Sequence, residues 1–558
     1  MKKKRILALA VSVMVLLSAC GQSGGNSSSS KADSSTSSSS VSSKEADSSA
    51  DSSEDAKDTD AGYPVTIEWL GYNTFGQPDP DSPVIKEIEE KYNVKFDFWF
   101  VDDQEWDQVL GIKFAGGEMP DVLKIKSTTV VEKYVNQEIL APITDEMLGK
   151  IPTLRDNIEA YGGTDVTMDG MYDGDLYVLK TINLNGAYPT TIAWRTDWLN
   201  NVGIDKIPET IEEWETAMYK FRDEDPDGNG EKDTYGMSET TMGAVFGAFG
   251  TIPMFGFTGK DVPDLLWAEK DGEYVLAPTQ PEMKEALTYL SKWYQDGLID
   301  PEFITGENTA GYWATSQAFT NGRVGVTGAS MSYHWNPPLV EGAAEGACYA
   351  DFMSVNPDAV FGETFDLGTA PAGPNGSAGT IEWGAISGNG IAFTTKCVED
   401  ENKLDAILNM MESMASNYDD YLLGLYGIEG ENYTVDKASG QVTLTDEYTD
   451  QAVAVKAGLS VTNVMTKNPD FDKRVNPLLY DFMDKYDGPG YHGALVPVTE
   501  SNTTYMEDLK KYAQESYIKF ITGEMPVDEF DSFVENFNKN GGTVIEEDTN
   551  AAIKELLG

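Results

Sequence analysis

Histidine and cysteine are almost missing from this 558-residue chain, which has two His, His334 and His492, and three Cys, Cys20, Cys348 and Cys397. A His-ligated zinc hydrolase or a Ser-His-Asp enzyme would have to use one of those two imidazoles. Neither stands near a GxSxG, HExxH or Walker-type Gly-Lys-Ser/Thr motif, so nucleophilic and metal-assisted hydrolysis lose their usual machinery. Cys348 and Cys397 can pair only if folding brings their Cα atoms within about 7 Å, and we expect two unpaired, non-catalytic thiols. Positive charge is scarce too: 40 Lys and Arg stand against 93 Asp and Glu, a formal charge of −53. Losing the four basic residues at positions 2–5 takes the remainder to −57. Such a surface repels nucleic acid and anionic lipid, and disfavours a polyanionic ligand without excluding it. No run of about 18 apolar residues occurs, so no stretch is long enough to span a bilayer as a helix.

The N-terminus instead reads as a targeting segment. Lys2, Lys3, Lys4 and Arg5 precede a short apolar run over 6–17, which ends in Leu17-Ser18-Ala19-Cys20-Gly21. This resembles a bacterial lipobox, whose Cys takes a diacylglycerol after residues 1–19 are removed. Residues 20–62 then hold the lipidated Cys20 and a Ser-rich stretch without aromatics. Such a composition cannot bury enough apolar surface to offset its chain entropy, and is expected to be a disordered tether. These features imply a lipid-anchored protein on the extracytoplasmic face of the cell membrane.

Residues 63–558 are rich in Trp, Tyr and Phe and too long for one core, so two or more domains are expected. The run Val65-Thr66-Ile67-Glu68-Trp69-Leu70 alternates as a strand, and Ser82-Pro83 opens a helix with Val84, Ile85, Ile88 and Tyr92 at helical spacing. A second strand follows over 94–100, a helix over 104–115, a short strand over 122–125 and a helix over 130–137. This β-α-β-α-β order predicts an open α/β sheet. A second such region begins near Thr190. There Thr210 and Glu213 form a capping box opening a helix that ends near Arg222, and a long helix over 281–295 puts Met283, Ala286, Leu287, Leu290 and Trp293 on one face. Trp69, Trp99, Trp106, Trp214 and Trp293 are expected to pack in the core. A hairpin is expected around Ser439-Gly440.

Several segments taken in order carry a resemblance. Phe114-Ala115-Gly116-Gly117-Glu118-Met119-Pro120-Asp121-Val122 is followed by Trp194-Arg195-Thr196-Asp197-Trp198-Leu199 and then Ile207-Pro208-Glu209-Thr210 with Glu213-Trp214. Further on stand Gly297-Leu298-Ile299-Asp300-Pro301-Glu302-Phe303 and Gly427-Ile428-Glu429-Gly430-Glu431-Asn432-Tyr433. Along nearly its whole folded length the chain resembles the extracellular solute-binding proteins of family 1, in the branch similar to LplA-type lipoproteins. The resemblance implies an α/β, two-lobed, periplasmic-binding-protein-like (type II) fold with a hinge between lobes that close on a ligand. The first lobe is expected at 63–187 plus 388–425 and the second at 188–387 plus 426–558. It also implies a non-enzymatic, monomeric substrate-binding component of an ABC transporter, handing a small solute to separate permease subunits. Sugar, as an oligosaccharide, is the ligand class the family implies. The competing classes are a secreted glycoside hydrolase or lyase, a binding protein for a non-sugar solute, and an adhesin.

Two sets of site residues follow. Asp225, Asp227 and Asn229 occupy positions 1, 3 and 5 of an EF-hand-like loop, with Gly230 at the sharp turn of position 6. Glu231 would offer its carbonyl at position 7 and Asp233 its carboxylate at position 9. Gly236 stands where the usual bidentate Glu would be, which points to a structural Ca²⁺ rather than a sensor site. Ligands of open α/β sheets bind at the carboxyl ends of strands. That rule selects Tyr72, Asn73, Ser127 and Thr128 in the first lobe and Tyr188, Tyr333, Trp335 and Trp383 in the second lobe and at the crossings.

Overall fold

The computed structural model describes residues 64–557, except 72–75, 103–104, 163–167, 169, 257–263, 306–316, 341–342, 344 and 464–467. The leader, Cys20, the Ser-rich stretch, Tyr72 and Asn73 therefore lie outside the described residues. Eight strands build two sheets: β1 (Val65–Leu70), β2 (Val94–Phe98), β3 (Val122–Ile125), β4 (Leu179–Ile182), β5 (Thr190–Trp194), β6 (Val326–Met331), β7 (Asp366–Gly368) and β8 (Ile386–Phe393).

The first sheet has the order β2-β1-β3-β8-β4. β1 runs parallel to β2 and β3, while β8 returns antiparallel between β3 and β4. Alternation explains the burial: Val94, Phe96 and Phe98 point inward while Lys95 and Asp97 face solvent. Both faces of the sheet are covered. Ile67, Trp69 and Val122 pack with the helices Pro83–Tyr92 and Glu401–Ser416, and Leu70 and Leu123 pack with Trp106, Leu110 and Tyr134. Ser82 starts the Pro83–Tyr92 helix as expected, its Oγ accepting from the Ile85 N–H at 3.1 Å.

The second lobe departs from expectation. Its central sheet, β6-β5-β7, is antiparallel throughout, because β6 and β7 return from distant parts of the chain instead of through βαβ units. β5 is buried along its length, with Ile192 and Trp194 facing one core and Ala193 the other. The larger core takes the helices Ile211–Asp223, Glu282–Gln295 and Glu500–Thr522. The Thr210 Oγ1 accepts from the Glu213 N–H at 3.2 Å, but Glu213 reaches back one residue further, to the Glu209 N–H at 2.8 Å.

The boundary placed at 426 needs correction. Leu444, Tyr448, Ala454, Leu459 and Val461 join the core of the first sheet, and the Trp69 indole donates to the Val461 carbonyl at 3.2 Å. Chain up to about residue 475 thus packs with the first lobe: the 433–435/442–444 hairpin and the helix after it cover the Trp69 face, and Phe471 and Val475 pack with Tyr421 and Leu422. Trp99 sits at the edge of the core: it packs half-buried against the Trp106 cluster, its indole donating to Glu68 at 3.1 Å with the Lys113 ammonium 4.5 Å from the ring. Cys348 and Cys397 form no disulfide and lie buried in different cores.

Trp293 is fully buried in the second-lobe core, with its indole donating to Glu215 at 2.9 Å. Trp293→Ala should destabilise that lobe by about 3–5 kcal/mol in urea unfolding. Ile112→Ala, at a side chain 66% exposed, should change stability by less than about 0.5 kcal/mol.

Candidate functional site

Two chain crossings between the lobes run side by side. The Asn183 N–H donates to the Ala385 carbonyl at 2.7 Å, and the Thr380 hydroxyl to the Thr190 carbonyl at 2.6 Å. They approach so closely at Gly186 that a Cβ there would stand 2.3 Å from the Gly384 carbonyl oxygen. Beside them opens a cleft of about 570 Å³, within the range of small-ligand sites. Tyr161, at the end of the helix Pro152–Gly162, and Ile386 of β8 form its first-lobe wall. Thr251, Ile252, Leu266 and Trp267 form the opposite wall, and residues 382–385 and 491–495 the floor.

The floor carries the polar chemistry. Glu382 donates its backbone N–H to the Tyr491 carbonyl at 2.9 Å, and its carboxylate lies 3.6 Å from His492 Nδ1. That carboxylate holds the His492 imidazolium above its ordinary pKa against the opposing effect of burial. Lys270 on the rim is held by both Glu282 oxygens at 3.0 Å. Trp383 is half-buried in an edge-on contact with Phe255, ring centroids 4.8 Å apart. Such a surface offers aromatic rings to apolar faces and carboxylate and imidazole groups to hydroxyls.

Of the described ligand residues expected from sequence, Trp383 alone lines this cleft. Trp335 is fully buried between Phe319 and Phe365, so its ring belongs to the second-lobe core and that expectation is corrected. Tyr188 is 7% exposed and donates to Asp484 Oδ1 at 2.5 Å, tying the crossing to the helix Pro477–Lys485, with Tyr333 packed on the same cluster. Ser127 accepts from the Thr129 N–H at 3.4 Å, capping the turn Thr128–Val130. Sequence reasoning missed Tyr161, Trp267, Glu382, Tyr491 and His492. The last two had a usable signal: one of only two His stands beside an aromatic inside Gly488-Pro489-Gly490-Tyr491-His492-Gly493.

The acidic loop follows the helix Ile211–Asp223. Asp225 oxygens accept from the Asn229 and Gly230 N–H groups at 3.1 and 3.0 Å, with Gly228 and Gly230 at φ +73 and +90. The Asn229 amide nitrogen lies 2.9 Å from Asp227 and 3.2 Å from Asp233, a donor placed between two carboxylates. Burial, with the charges of Asp233 and Asp225 beside it, pushes the Asp227 carboxyl above the usual range. All-oxygen donors of this kind suit a hard cation. Among the described residues, no three His, Cys, Asp or Glu side chains are drawn close enough to hold a metal as they stand.

His334 differs from His492 in its surroundings: burial pushes it down to about 4. A titration followed by NMR should resolve two imidazoles, one with its midpoint above 6.5 and one neutral down to about pH 4. Glu382→Gln should return the first towards 6.5 and leave the second unmoved. Because unfolded His334 takes a proton near pH 6.5 and the folded one does not, stability should fall as pH drops from about 6.5 to 4. The smaller His492 contribution has the opposite sign. It is present below pH 6.5 and lost as pH rises through the folded pKa.

No family profile matches the chain. It is 25% identical over 502 residues to the polygalacturonan/rhamnogalacturonan-binding protein YtcQ of Bacillus subtilis, covering 88% of this chain and 92% of the relative. Lipoprotein LipO of Bacillus subtilis is also 25% identical, over 500 residues covering 85% and 89%. Among solved structures, an HMO-binding, ABC-transporter-associated solute-binding protein from Bifidobacterium longum infantis superposes with a TM-score of 0.62 at 17% identity, covering 88% of this chain and 98% of that one. An EF-hand mutant of the Streptococcus pneumoniae ABC-transporter substrate-binding protein FusA, in complex with fructo-nystose, gives a TM-score of 0.57 at 16% identity over 88% and 99%. Along most of its sequence the chain is thus similar to ABC-transporter solute-binding proteins, and it shares the two-lobed α/β fold of extracellular solute-binding proteins.

Proposed function

We propose that the protein captures an oligosaccharide in the cleft between its lobes and delivers it to the permease subunits of an ABC importer, without chemical turnover. The observation that carries this reading is the cleft itself. It lies at the crossing of two independently packed lobes, so a ligand bound there touches both and favours their closure. Aromatic rings of Trp383, Trp267 and Tyr491 suit the C–H faces of sugar rings, and Glu382 and His492 suit their hydroxyls. The similarity to a polygalacturonan/rhamnogalacturonan-binding protein over 92% of its length supports the saccharide class. The Lys2-to-Cys20 leader and the similarity to a lipoprotein support a tether at the extracytoplasmic face of the membrane through a diacylglycerol on Cys20.

In this reading Asp225, Asp227, Asn229, Asp233 and the Glu231 carbonyl hold a structural Ca²⁺ that neutralises their mutual repulsion. The EF-hand named for a fold neighbour supports that assignment. In the same reading Tyr188 and Tyr333 act at the crossing, and Ser127 and Thr128, beyond β3, serve as hydroxyl partners of a longer ligand.

Calorimetric titration with an oligosaccharide panel should give saturable binding to one class and no products by chromatography. Trp383→Ala should weaken that binding by about tenfold or more while leaving the melting temperature within a few degrees. Saturation without dependence on Trp383, or hydrolysis of the bound sugar, would overturn the proposal. Independently, Ca²⁺ at a hundredfold excess over its Kd should stabilise the protein by about 2.7 kcal/mol. Chelator should remove that gain, and Asp227→Ala should abolish the response to both.

A further inference from the structure

The charge of the cleft bears on which saccharides it accepts. Among the described residues, four charged side chains line it: Glu269, Lys270, Glu382 and His492. Both cations are already engaged, Lys270 by Glu282 at 3.0 Å and His492 by Glu382 at 3.6 Å. Glu269 is exposed on the rim, and with Glu282 counted three carboxylates stand against these two cations. Arginine, the side chain best shaped to grip a carboxylate in a two-pronged contact, is absent from the lining. The five Arg of the folded body are placed elsewhere: Arg155, Arg195, Arg222 and Arg323 pair with carboxylates, and Arg474 lies over the Tyr418 ring at 3.5 Å. The internal segments outside the described residues contain neither Arg nor His, and their cations are Lys260 and Lys467.

From this arrangement we infer that the cleft selects uncharged oligosaccharides and rejects those built from uronic acids, the class named for the Bacillus relative YtcQ. The inference rests on the saccharide reading above and narrows it. A uronate entering the cleft would meet Glu269 and Glu382 with no cation of the described lining left unengaged, and would lose hydration without compensation. A neutral sugar makes no such demand. Its hydroxyls can donate to Glu382 and Glu269, and its C–H faces can cover Trp383 and Trp267. The −53 charge of the whole chain adds a long-range repulsion of polyanions that falls away with salt.

The test titrates the full chain with neutral fructo-, malto-, manno-, xylo- and galacto-oligosaccharides and with oligogalacturonides and oligoalginates of matched length, at 20 and 500 mM NaCl. The expected result is saturable binding of a neutral class, with Kd unchanged within about twofold between the two salt concentrations. Any uronate should bind at least about tenfold more weakly at low salt. Equal or tighter binding of a uronate oligomer, weakening as salt is raised, would overturn the charge selection while leaving saccharide capture standing. Failure of every neutral and acidic saccharide to bind would sink saccharide capture itself, and this inference with it.

Discussion

Everything distinctive about this molecule hangs on the contact between its crossing segments. Gly186 and Gly384 meet with no room for a side chain, and a main-chain hydrogen bond from the Asn183 N–H to the Ala385 carbonyl holds the pair together. A third crossing joins them where Tyr188 donates to Asp484 and Tyr480 donates to Asn185 at 3.1 Å. The two large cores stay separate on either side. Relative motion of the lobes therefore needs dihedral changes in a few residues only, while each core moves as a packed body. The same contact sets the cleft floor, so the hinge and the site are one piece of structure.

The short motifs that carry the resemblance hold each lobe rigid, and do not line the cleft. Asp121, in the Pro120-Asp121 turn, is fully buried; its carboxylate takes the Lys403 ammonium at 2.9 and 3.0 Å and the Glu68 N–H at 2.7 Å. Asp300, in the Ile299-Asp300-Pro301 run, is buried likewise, accepting from Arg323 at 2.7 Å and from the Glu302 N–H at 3.0 Å. A buried carboxylate is tolerated only when its oxygens are met by cation and amide partners together. Asp121 joins segments 282 positions apart and Asp300 segments 23 apart, which gives each lobe a fixed shape against which the hinge can act.

The electrostatic character of the body and that of the cleft agree. Excess carboxylates cover the surface, and the few cations are drawn into local pairs, such as Arg195 with Asp197 at 2.6 Å and Lys510 with Glu507 at 2.8 Å. Little positive charge is left to line a binding surface. Recognition then falls to rings, hydroxyl-binding carboxylates and main-chain groups, which discriminate by shape and hydrogen-bond geometry more than by charge.

Local patterns were legible wherever a short window contains the physics. Alternation in Val94, Phe96 and Phe98, the Ser82 and Thr210 caps, the apolar face from Met283 to Trp293 and the turn at Gly440 all depend on residues a few positions apart, and the structure repeats them. The cleft depends instead on residues 161, 267, 383 and 492 meeting across some 330 positions of chain, and no local pattern encodes such a meeting. Trp335 and Trp383 illustrate the difference. Both are Trp beside a strand, yet one fills a core between Phe319 and Phe365 and the other borders the cleft beside the Gly384 crossing. The sequence by itself determined the elements, the compartment signal and the family likeness, since each is written in neighbouring residues. Only the tertiary structure decided the antiparallel second sheet, the attachment of residues 433–461 to the first lobe and the make-up of the cleft, because each depends on which distant surfaces bury one another.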